Sequence, residues 1–97
     1  MKVTFGRRAL RDLGDYLIHV ALSHGSEAPA IRERVRIFAE LQHVADLGLR
    51  GPKVRVEGWQ RPLDSWYVHP FRVYYRRGQD GITIVRCYHH ARRPIAQ

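Results

Sequence analysis

Cysteine is almost absent: Cys87 stands alone, so no disulfide can close within the chain and a reduced cytoplasm is the expected compartment. Long apolar runs are absent too, since Arg or Asp interrupts every candidate. No segment reaches the roughly 18 uninterrupted apolar residues of a membrane-spanning helix, and no charged stretch followed by an apolar run opens the chain as a secretion signal does. Lysine is scarce, with only Lys2 and Lys53, and so are acids in the second half. Residues 1–47 carry seven Lys/Arg against six Asp/Glu, whereas residues 48–97 carry ten against three. No internal repeat or low-complexity tract is visible.

What is present is arginine, which makes up fifteen of the seventeen basic residues and gives a net charge of +8. A guanidinium is a flat, bidentate donor for phosphate or carboxylate, where an ammonium is a point charge. An acidic partner is therefore expected, either nucleic acid or an acidic protein segment. The plainer use of such charge is solubility. With 97 residues and 44% hydrophobic content, the chain suits one domain, residues 1–97, and is too short for two useful cores.

Along the chain, Val3-Thr4-Phe5 reads as a short strand. Leu10, Leu13, Leu17 and Val20 then form one stripe of a helix over 7–23. His24-Gly25-Ser26 breaks it, with Gly25 as the stop and Ser26 as the N-cap whose hydroxyl accepts from an amide of the next helix, whose first turn suits Pro29. In that second helix Ile31, Val35, Phe38, Leu41 and Ala45 recur at helical spacing, and it ends near Leu47-Gly48. Residues 48–62, broken by Gly and Pro, predict a loop with a short edge strand at 54–57. Ser65–Val68, Phe71–Arg77 and Ile82–His89 have the aromatic and β-branched composition of strands. The last two are joined as a hairpin through Gly78-Gln79-Asp80-Gly81. The sum is an α+β fold: an N-terminal strand and an antiparallel helical hairpin packed on a small, mainly antiparallel sheet.

Pairing Arg77 with Ile82 and stepping inward sets Arg72 opposite Cys87. This predicts one face with Arg72, Tyr74, Val85, Cys87 and His89, and another with Phe71, Val73, Tyr75, Ile84 and Arg86. A slip of one residue would reverse the grouping on one strand.

The order of elements resembles ParE-type toxins of the RelE/ParE superfamily. So does the run Phe71-Arg72-Val73-Tyr74-Tyr75-Arg76-Arg77, Asp80-Gly81-Ile82-Thr83-Ile84-Val85-Arg86 and Tyr88-His89-His90-Ala91-Arg92. The architectural likeness covers nearly the whole chain, and the motif likeness covers 70–94. It implies the toxin of a type II toxin–antitoxin pair, as in plasmid stabilisation, that targets DNA gyrase and is neutralised by a cognate antitoxin. RelE-like relatives instead cut messenger RNA on the ribosome, so fold leaves activity open.

For RNA cleavage, Arg72 and His89 match the arginine and histidine used by YoeB-like ribonucleases, and one would steady the phosphate while the other moves a proton. The third member is missing, because Glu57 is the only carboxylate in the connecting loop and aligns poorly with the family's glutamate. The plainer readings are a strand-end histidine bonded to backbone, and an Arg72 that stitches the sheet to Asp12 or Asp15 of the first helix. Arg76, Arg77, Arg86, Arg92 and Arg93, interleaved with Tyr74, Tyr75 and Tyr88, form the densest basic cluster, suited to binding nucleic acid or another acidic target. Trp59 and Trp66 either seal the core or anchor the antitoxin. His89 and His90 point to opposite faces and make no metal site, Cys87 reads as a packing residue, and no cofactor is expected.

Overall fold

The computed structural model describes residues 1–89. Strand β1 (Lys2–Phe5) leads into helices α1 (Arg7–His24) and α2 (Ala28–Leu47); β2 (Lys53–Val54), β3 (Leu63–Val68), β4 (Phe71–Arg77) and β5 (Gly81–His89) follow. The sheet order is β1-β5-β4-β3-β2, with β1 parallel to β5 and every other pair antiparallel. This is the α+β architecture expected from the sequence.

Gly25 ends α1 because it accepts a left-handed φ of 64° without a side-chain clash, and the Ser26 amide then bonds back to the Ala21 carbonyl. The N-cap of α2 is Glu27, not Ser26, and it makes no side-chain cap bond; the Ser26 hydroxyl, one residue earlier, still accepts from the Ala28 amide at 3.2 Å. The hairpin is tied to the sheet by Arg36, which donates to Glu33, Glu40 and the His69 carbonyl in the β3–β4 turn. Glu33 also accepts from the Tyr16 hydroxyl of α1.

The expected helix stripes are correct in part. Leu13 and Val20 are buried and Leu17 packs against the core, but Leu10 faces outward. On α2 the inward positions are Ile37, Leu41, Val44 and Ala45, whereas Ile31, Val35 and Phe38 are exposed. Nothing from residue 21 to 36 is buried, so only the half of α2 next to the sheet needs an apolar face. Phe38 stacks on Phe5, at 5.2 Å between ring centres, along the edge of that core.

The hairpin register is the main correction. Arg77 does pair with Ile82, and Tyr75 with Ile84, but Tyr74 then pairs with Arg86. Val85 is thus an extra residue, a bulge that re-aims everything after it on β5. Cys87 and His89 turn to the helix side with Phe71 and Val73, while Arg86 and Tyr88 join Arg72 and Tyr74 on the open side. The bulge lets Val85 pack with Val56, Leu63 and Tyr74 in a second, smaller cluster on that open face. A regular ladder would have set Val85 on the face of Cys87, so burial of Val85 under the 48–62 segment supplies the physical reason for the slip.

Candidate functional site

Past Phe5, β1 no longer covers β5, and the outer edge of residues 85–89 is open to α1. Asp12 occupies that edge. Its carboxylate accepts from Arg86 Nε at 2.7 Å, from Arg86 Nη2 at 3.1 Å and from the Cys87 amide at 3.0 Å. An edge amide and a half-buried guanidinium are thereby satisfied by one side chain. The bond to Asp12 raises the pKa of Arg86. Asp12 is therefore the stitching carboxylate, but its arginine is Arg86, not Arg72.

Arg72 and His89 do not form a pair. Arg72 is exposed on the open face opposite Tyr88 and Tyr67, and His89 lies on the helix side opposite Phe71. The His89 ring sits 6.0 Å from the ring centres of both Phe71 and Tyr16. The sheet itself separates the two candidate groups, so they cannot attend one phosphate in this arrangement. Cys87 is buried, and burial pushes its thiol up to about 12, which leaves no thiolate at neutral pH. Among the described residues no three His, Cys, Asp or Glu side chains stand together as metal ligands.

The arginine cluster is divided. Arg76 is exposed at the end of β4, and Arg77 turns toward the segment after α2, donating to the Leu49 carbonyl at 2.9 Å beside the Tyr75 hydroxyl at 2.7 Å. Arg86 is held by Asp12. Arg92 and Arg93 lie outside the described residues. Tyr74 is 3% exposed beneath Val56, with its phenol pKa raised by burial, so its ring supports the 48–62 segment and offers no face to a ligand.

The two tryptophans differ. Trp66 packs against the helix-side core and lines a cleft of about 380 Å³ with Ala39, His43 and Leu49. Trp59 stands out from the segment before β3, 41% exposed. Around it the structure gathers Arg50, Lys53 and Arg61, which sequence reasoning passed over. Their signal was available: 48–62 carries four cations against Glu57 alone, but a loop with no regular period gives no way to say which side chains converge.

No family model matches the sequence, and no curated protein is significantly similar to it. Among solved structures, a chain of the chromosomal ParDE TA system from P. aeruginosa superposes with a TM-score of 0.70. The match covers 92% of this chain and 95% of that one at 19% sequence identity. The class defined here is thus a two-layer α+β domain with the fold of that ParDE chain.

Proposed function

We propose that this chain is the toxin of a type II toxin–antitoxin pair, acting in the cytoplasm by binding DNA gyrase and held inactive by a cognate antitoxin. The observation that carries the reading is the shared fold over nearly the full length of both chains. The separation of Arg72 from His89 favours an inhibitor that binds over a messenger RNA endonuclease, because the two groups a cleavage site would use are on opposite faces. The antitoxin has a surface suited to it. Leu10, Ile18 and Leu22 of α1 and Ile31, Val35 and Phe38 of α2 are exposed apolar residues on the hairpin, and Trp66 lines a cleft beside α2.

The test is induced expression of the chain in a bacterial host without antitoxin, following growth, the DNA-damage response and transcript integrity, beside Arg72→Ala and His89→Ala. Growth arrest with a DNA-damage response, intact transcripts and no change in His89→Ala is the expected result. Cut transcripts that become whole in either variant would establish the nuclease instead. Unimpaired growth would remove the toxin reading.

A further inference from the structure

The 48–62 segment crosses the sheet so that two clefts lie on either side of Trp59. The larger, about 1000 Å³, opens where the start of β3, the end of β4 and the β4–β5 turn meet the segment. Arg50, Lys53, Arg61, Arg76 and Arg77 line it, against one carboxylate, Asp64. Asp64 is buried and already ion-paired with Lys53 at 3.2 Å. Arg77 Nε has no hydrogen-bond partner among the described residues, and Arg50, Arg61 and Arg76 make no hydrogen bond or ion pair among them. The smaller cleft, about 360 Å³, lies between Arg8 of α1 and Arg86 of β5 and includes Glu57. Both clefts share Gly58 and Trp59, so an exposed indole sits at their junction with cations on each side.

Guanidinium groups that line one cleft without paired carboxylates repel one another until an anion occupies them. The anion must be extended, since the charges follow two connected clefts, and it must offer a flat face to the indole. A duplex keeps its bases stacked inside and is read by a convex element that enters its groove, whereas these clefts are concave. An acidic peptide meets the charge requirement but leaves the indole without a planar partner. A single strand meets both, with regular phosphates and an unstacked base.

We infer that these clefts form a channel for single-stranded nucleic acid, with phosphates at Arg50, Arg61 and Arg76, a base stacked on Trp59 and the strand continuing toward Arg8. The assignment is independent of the toxin reading, because it concerns binding by the isolated chain and holds whether or not expression arrests growth.

The experiment is fluorescence anisotropy with labelled oligothymidylate and oligouridylate of about 12 nucleotides, a duplex of the same length and oligoglutamate as competitor, over a salt series. Both single strands should bind more tightly than the duplex, and the preference between them identifies DNA or RNA as the natural source. Trp59→Leu should weaken binding roughly 5- to 100-fold, with Trp59→Phe between it and the parent. Arg61→Gln with Arg76→Gln should lower the slope of log affinity on log salt by about 1.4, or about 0.7 for each cation. All these side chains are exposed, so the fold should persist by circular dichroism. As the matched charge control, Arg11→Gln with Arg32→Gln on the outer helix faces should leave oligonucleotide affinity nearly unchanged. Equal loss in that control, or duplex binding as tight as single strands, would overturn the channel. Insensitivity to Trp59→Leu with full competition by oligoglutamate would replace it with a site for an acidic peptide.

Discussion

The two faces of the sheet are built on different terms. Among the described residues, thirteen buried side chains from α1, α2 and the three strands β3, β4 and β5 pack into one cluster on the helix side, whereas the open side holds Val56, Leu63, Tyr74 and Val85 together. The first cluster is large enough to set the fold, since burial of each large apolar side chain stabilises by about 1.5–3 kcal/mol. The second is only large enough to hold a segment in place. What it holds is the stretch that carries Trp59, Arg50, Arg55 and Arg61. The helix side thus specifies the structure, and the open side is free to carry charge that a packed core would not tolerate.

The strongest way to break this comparison is Phe71→Ala. Phe71 is 1% exposed and makes edge-on contact with the Tyr16 ring at 5.0 Å between centres. Its truncation leaves a cavity in the helix-side cluster and should cost about 3–5 kcal/mol, read as a fall in the urea midpoint. A loss no larger than that of an open-face truncation would mean the two sides are equivalent. Asp12→Ala comes next, at about 2–3 kcal/mol, because it leaves the Arg86 guanidinium and the Cys87 amide without their shared acceptor. Adding Arg86→Met should recover part of that loss, since removing both partners spares the orphaned charge. No recovery would show that the carboxylate works mainly through the Cys87 amide.

These two positions also mark what could be read in advance. The six predicted elements from Val3-Thr4-Phe5 to the 82–89 strand, the 54–57 edge strand apart, correspond to observed ones within a few residues. Local patterning and turn chemistry decide such elements. That a carboxylate of α1, Asp12 or Asp15, ties the helix to an arginine of the sheet was legible. Its partner was not, because the choice of Arg86 over Arg72 hangs on the Val85 bulge. A bulge depends on what packs over it, here Val56 from a segment with no period of its own. The same dependence moved Tyr74 from a candidate ligand contact to a buried support. On α2 the periodicity was real, yet 31, 35 and 38 fit it as well as 37, 41 and 44, and only the placement of the sheet decides between them. Hydrophobic period gives the helix, and tertiary contact selects its inner face.

A smaller effect is expected from Val56→Ala. Val56 is the one residue of the 48–62 segment buried against the open face. Losing its two methyl groups should cost about 1–2 kcal/mol, near 0.8 kcal/mol per buried carbon. The distinguishing result lies in hydrogen exchange. Amides of 53–60 should lose protection while those of α1 and β4 keep theirs, because the segment opens separately from the main cluster. Uniform loss across the chain would show that the open cluster is continuous with the core after all.

Acid should separate the two sides with the smallest effect. The open side holds its charge mainly on arginine, whereas the helix layer depends on Glu33. Its hydrogen bonds from Arg36, reinforced by Tyr16, bring its pKa down from 4.5 to about 2. A carboxylate with a depressed folded-state pKa contributes stability that is fully present above its unfolded value and is lost as pH falls through the folded one. Stability should therefore hold from neutral pH down to about 4.5 and decline toward about 2. Because Glu33 keeps a quarter of its side-chain exposure, solvent screening reduces the contribution to on the order of 1 kcal/mol. Glu33→Gln should be less stable at neutral pH and show a flatter acid limb in urea midpoints. An unchanged acid limb would show that the Glu33 hydrogen bonds do not set the acid sensitivity of the helix layer.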